Sequence, residues 1–162
     1  MQAPSLPKIN NLSIPTQLPV FWCSLADYRE QLILARIAID EVRVQHPEST
    51  PSNVKAVYMS PWKSHTLNDK FAPLAQTVNQ IAQEAAREYL KADLAQLNFE
   101  LALTDCWGVI YEGADYTMPH THFPADFSAV VYLEVGENSA PIIFGDSILK
   151  PTFMNHNLSW IW

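Results

Sequence analysis

The chain has 162 residues, 48% hydrophobic and 17% charged, with a formal net charge of −7 and a pI near 5.1. Those values predict one globular domain with a sizeable core. The acidity argues against a general electrostatic grip on duplex nucleic acid or an anionic membrane, and the lack of any run of about 18 apolar residues predicts no membrane-spanning helix.

Residues 1–20 are rich in Pro, Asn and Ser and read as an extended arm. Alternating apolar residues, Leu12 and Ile14 among them, suit an added edge strand. No basic stretch followed by a long apolar run opens the chain, so no signal peptide is expected and the predicted location is cytoplasmic. Cys23 and Cys106 match no C-x-x-C zinc or redox pattern and are expected to be reduced and buried.

A helical support region is predicted over 24–92. Ser24 and Asp27 suggest a capping box, with apolar residues at Leu25, Tyr28, Leu32, Ala35, Ile39 and Val42 in helical register. Pro47 disfavours helical backbone at His46, which is expected to be solvated. Val54 to Met59 alternates as a strand, and Ser60 to His65 reads as a turn with a solvated His65. A second helix starts around Asn68 to Pro73, a proline being tolerated in the first turn. Its stripe of Phe71, Leu74, Val78, Ile81, Ala85 and Tyr89 reads as core packing.

From 97 to 162 the pattern changes to short strands with turns between them. Candidate strands are Asn98 to Thr104, Cys106 to Tyr111, Phe127 to Val135, Pro141 to Phe144 and Leu158 to Trp162. The nearly continuous apolar run Phe127 to Val135 suits a strand covered on both faces. Two helices followed by many strands predict an α+β chain, a double-stranded β-helix (jelly roll, cupin-like) with two N-terminal helices packed on it.

Within that barrel one stretch stands out, Pro119-His120-Thr121-His122-Phe123-Pro124-Ala125-Asp126. Residues i and i+2 of a strand share a face, so His120 and His122 would present both imidazoles to one divalent metal. Imidazole suits Fe, Zn, Cu and Ni alike. The competing reading is a pair of surface histidines at a turn between prolines. Asp126 is a third possible ligand if the backbone turns after Phe123.

The run Trp107-Gly108-Val109-Ile110-Tyr111, Gly113, Pro119-His120-Thr121-His122, Phe127 to Leu133 and Ile142-Ile143-Phe144-Gly145-Asp146 resembles the 2-oxoglutarate/Fe(II) oxygenases. The subgroup it resembles occurs in bacteria, cyanobacteria and their phages. Trp62-Lys63-Ser64, followed by Phe71 and Leu74, extends the likeness to about residues 54 to 146. The resemblance implies Fe(II) held by a facial triad with open positions for 2-oxoglutarate and O₂. His120 takes the first His position, and His122 stands where a carboxylate usually sits. The remaining ligand would be Asp126 or His156, the latter 34 residues beyond His122 and closer than the family pattern. Tyr111, Tyr132 and Lys150 are candidate contacts for the cosubstrate, although the family's usual Arg or Lys after the last His is missing. The chain stops about where the closing strands would begin, which implies a shortened barrel or an incomplete site. The expected activity is hydroxylation of a small-molecule or peptide substrate, with release of succinate and CO₂.

Two further readings compete. Gly113, His120, His122 and Asp126 approximate a first cupin motif with Asp in place of Glu. Gly145, Pro151 and His156 approximate the second, with Phe153 replacing a glycine, which would give a cupin-like metal-binding protein. The alternative outside metal chemistry is a catalytically inactive β-sandwich or jelly-roll module that binds a partner through its Pro-rich arm. Ser128 lacks a G-x-S-x-G elbow and is set aside as a nucleophile.

Overall fold

The computed structural model describes residues 5–13, 19–91, 100–137, 139–144 and 152–153. Two helices and eight short strands alternate along these residues. The strands pair as four separate two-stranded antiparallel ladders, so the chain is mixed helix and sheet. Among the described residues no helix is long and apolar enough to cross a membrane, as predicted.

The arm pairs with the segment that follows it. β1 (Asn10–Ser13) runs antiparallel to β2 (Pro19–Trp22), with Asn10 opposite Trp22 and Leu12 opposite Val20. Val20 and Phe21 are buried, and the Tyr28 hydroxyl donates to the Ser5 carbonyl at 3.0 Å, which ties the arm to the first helix.

That helix, α1 (Arg29–Gln45), is preceded by a 3-10 turn over Ala26–Tyr28. Ser24 is a cap, but for the turn: its Oγ accepts the Ala26 N–H at 3.3 Å, and no side chain caps α1 itself. The expected capping box therefore does not form, because the first hydrogen-bonded turn is 3-10 and displaces Asp27 from its position. At the other end the helix stops before Pro47, as predicted, and the exposed His46 donates its N–H to the Val42 carbonyl.

A 3-10 turn over Asp69–Phe71 leads into α2 (Ala72–Leu90). Asn68 caps it by accepting the Lys70 N–H, Pro73 sits in the first helical turn, and Lys91 ends the helix in the left-handed region at φ 52°. Leu25, Tyr28, Ala35, Ile39, Val42, Phe71, Leu74 and Ile81 share one core cluster, so both predicted stripes face inward. Tyr89 is the exception, being 53% exposed at the frayed end. Thr77 Oγ1 bonds Gln31 Oε1 at 2.8 Å, and Glu41 takes both Asn68 and Lys70, which pins the α2 entry to α1.

The strands are shorter than the sequence suggested. Val54 to Met59 splits into β3 (Val54–Lys55) and β4 (Tyr58–Met59), which join different partners. β4 pairs with β5 (Val109–Ile110), and β3 pairs with β6 (Tyr116–Thr117). The split has a local cause: the Asp115 carboxylate takes the Val57 N–H at 3.0 Å, which withdraws that donor from any ladder. Residues 100–104 form no strand, and neither does Phe127 to Val135. In the latter run Val131 and Leu133 lie against the core cluster, while Val135 is exposed. β7 (Ile143–Phe144) meets β8 (Thr152–Phe153), whereas the expected strand over 158–162 lies outside the described residues.

Candidate metal centre

The β4–β5 ladder is locked by a buried serine pair. Ser60 and Ser64 are fully buried. The Ser64 and Ser60 hydroxyls pair at 2.7 Å, Ser64 donating its own proton to the Pro61 carbonyl, and Ser60 Oγ accepts the Gly108 N–H at 2.8 Å. Ser60 N–H returns to the Gly108 carbonyl at 3.0 Å, so the two residues are bonded in both directions, once through backbone and once through the Ser60 hydroxyl. One step further, Cys106 N–H donates to the Trp62 carbonyl at 2.8 Å and Ser64 N–H to the Cys106 carbonyl at 2.9 Å. The Ser60 to Ser64 turn and the Cys106 to Gly108 segment therefore form one unit, which brings the Trp62 and Trp107 rings together edge to face at 4.8 Å.

The β3–β6 ladder leads to the histidines. Past β6, Met118 N–H donates to the Asn53 carbonyl at 3.0 Å, and Asn53 Nδ2 donates to the Met118 carbonyl at 3.3 Å. That carbonyl also meets His120 Nδ1 at 2.9 Å. A carbonyl only accepts, so Nδ1 carries the proton and His120 Nε2 presents its lone pair. This orientation of an imidazole through its distal N–H is how metal-ligating histidines are usually held.

His120 Nε2 and His122 Nε2 are 2.9 Å apart. Two imidazole nitrogens bound at right angles to one divalent ion would be separated by about 2.9 Å, against about 3.4 Å for a tetrahedral pair. The spacing would let both nitrogens hold one divalent ion. Without an ion the same distance is an N–H···N hydrogen bond in which His122 donates. The sequence expected the pair to meet on a strand face. Both residues instead lie beyond β6 (Tyr116–Thr117), outside any strand, and His122 opens the turn that follows.

His122 is also touched by Trp107, whose ring lies at 6.2 Å and 22° to the imidazole plane. Desolvation, and secondarily the neighbouring His120, lowers the His122 pKa, so its neutral, ligand-competent form is favoured.

The chain does turn after Phe123. Ala125 N–H reaches the His122 carbonyl at 2.7 Å across a cis Phe123–Pro124 bond. The turn leaves Asp126 exposed, and among the described residues no third His, Cys, Asp or Glu joins the pair. His156 and Lys150 lie outside the described residues. The residues present thus fit two positions of a metal site and do not by themselves complete it. Tyr111 and Tyr132 are neighbours. The Tyr111 hydroxyl pairs with Thr117 Oγ1, and burial, then Tyr111, raises the Tyr132 pKa. Tyr132 thus stays a neutral donor at pH 7.

Asn53, Met118 and Trp107 were not among the site residues read from the sequence. Trp107 had a signal in the Trp-rich run before the histidines. Asn53 had none, since its role depends on a ladder 65 residues long-range. His65, expected in solvent, has a buried Nδ1 without a hydrogen-bond partner. An apolar concavity lined by Ile9, Phe21, Cys23, Ile81 and Phe127 lies away from the exposed histidine pair. Comparison of the chain with protein-family models, with curated proteins and with solved structures finds no match in any of the three.

Proposed function

We propose that His120 and His122 bind a divalent transition metal and that the chain is an oxygenase of the 2-oxoglutarate/Fe(II) type, built on a jelly-roll core. The observation that carries the metal reading is the 2.9 Å Nε2–Nε2 spacing with His120 already oriented by the Met118 carbonyl. The oxygenase reading rests on the order of motifs from Trp62 to Asp146, and the third position would be supplied by His156, or by Asp126, which stands apart from the pair without an ion. Bound Fe(II) with 2-oxoglutarate would supply O₂ activation for hydroxylation of a substrate C–H bond.

The chain's own groups bind and orient. His120 and His122 hold the ion through Nε2, which requires the His122 proton to leave Nε2. The Tyr111 and Tyr132 hydroxyls donate to a cosubstrate carboxylate, and Lys150 supplies the positive charge for its distal end. The substrate is a small molecule or a peptide, in keeping with a net charge of −7 that disfavours duplex nucleic acid.

An anaerobic titration with Fe(II) and 2-oxoglutarate tests this. A saturable visible charge-transfer band that vanishes in His120→Ala is the expected result. Metal uptake without the band would favour a cupin-like metal protein, and no uptake would overturn the metal reading itself.

A further inference from the structure

We propose that Trp107 is a positioning residue for the metal site: its indole, braced by Trp62, holds the His122 imidazole in the orientation that places Nε2 beside that of His120. The inference rests on the metal reading above and deepens it.

His120 and His122 are oriented by different means. His120 is held through its distal nitrogen, by a carbonyl that Asn53 fixes in turn. His122 has no such carbonyl on its distal nitrogen: it meets His120 through the 2.9 Å Nε2–Nε2 bond, and its ring neighbours are His120 at 4.6 Å and Trp107 at 6.2 Å between centroids. The Trp107 plane is within 22° of the imidazole, so it limits rotation of the ring about χ2. An imidazole otherwise has two broad χ2 wells, only one of which aims Nε2 at its partner.

Trp107 can serve in this way because it is itself fixed. Its neighbours Cys106 and Gly108 are both hydrogen-bonded to the 60–64 turn, on either side of it in sequence. Trp62, from that same turn, packs its ring at 74° to the Trp107 ring. On the opposite side, Gly108 lies against Ile39 of α1, so the segment cannot retreat into the core. The helical half of the molecule is thus connected to His122 through packed groups: Ile39, Gly108, Trp107, His122.

Groups that orient a ligand from outside the coordination sphere typically change metal affinity 10- to 100-fold when removed. The test is anaerobic titration of the full chain with Co²⁺, read by its visible ligand-field absorption, with far-UV circular dichroism as the check of folding. Trp107→Leu, which keeps apolar volume but loses the flat face, should weaken Co²⁺ binding about tenfold. Its spectrum at saturation should match the wild type, because the ligands are the same. Trp107→Phe should restore affinity to within about threefold, since a planar ring returns. Trp62→Leu, at a residue 42% exposed, should fall between the two.

Folded Trp107→Leu with wild-type affinity would overturn the proposal. If that variant misfolds, wild-type affinity in folded Trp62→Leu would overturn it instead. A wild-type protein that takes up no Co²⁺ fails earlier, at the metal reading, and the two failures are thereby distinct.

Discussion

Gly108 lies directly against Ile39: a Cβ built on the glycine would come within 2.4 Å of Ile39 Cγ1 and 2.5 Å of Cδ1. The contact joins β5's leading edge to α1 and leaves no room for a side chain. Gly108→Ala should therefore destabilise the fold by about 1–3 kcal/mol, the usual cost of overpacking. Urea unfolding measures it. Ile39→Ala in the same chain, which removes both Cγ1 and Cδ1, should make the second loss less than additive, and additive losses would show that the clash is not the cause.

Ser60 and Ser64 are polar groups with no exposure, and each hydroxyl is accounted for. Ser60→Ala leaves the Gly108 N–H without its Oγ partner, at a cost of about 1–3 kcal/mol. Ser64→Ala removes the hydroxyl that pairs with Ser60 Oγ and donates to the Pro61 carbonyl, but strands no N–H, so it should cost less. Thermal melts of the two variants rank them; the reverse order would refute the clamp as described.

Burial pushes both thiols up, to about 11 from an ordinary 9.0. The folded chain keeps these protons at a pH where the unfolded chain has lost them. Their contribution is therefore fully present below about pH 9 and is lost as pH rises through about 11. Tyr28, Tyr58 and Tyr132, also raised by burial, act in the same direction at still higher pH. The urea midpoint should fall between pH 8 and pH 10.5, and Cys23→Ala should flatten part of that fall. At pH 8 the ionisation of each thiol is suppressed about 100-fold, offset about tenfold by greater intrinsic nucleophilicity. A disulfide reagent should thus label the native protein slowly and both cysteines promptly in denaturant.

Removing His120 and removing the residue that orients it should have unequal consequences. His120→Ala should abolish metal uptake and free the Met118 carbonyl, while Asn53→Ala should weaken uptake about tenfold by loosening that carbonyl. Both sites are at the surface, so melting temperatures should stay within a few degrees of wild type. Isothermal titration with Ni²⁺ distinguishes them. Equal affinity in wild type and His120→Ala would assign the binding elsewhere.

The helices were legible in the sequence, because they follow local rules. The 3.6-residue recurrence placed the inward faces of α1 and α2, and Pro47, Asn68 and Pro73 marked their ends. His120 and His122 do meet, but outside any strand, so the strand-face argument that proposed the pair is not what places it. The strand pairings were decided by tertiary structure. Ser60 meets Gly108 across 48 residues and Asn53 meets Met118 across 65, separations that no local period encodes. One carboxylate, Asp115, split an apparently continuous strand by taking a single N–H. The apolar run Phe127 to Val135 shows the same limit. Its composition suited a buried strand, yet the run forms none, and only Val131 and Leu133 pack on the core. The ring that faces His122 likewise had to come from another segment, and only the folded chain selected Trp107.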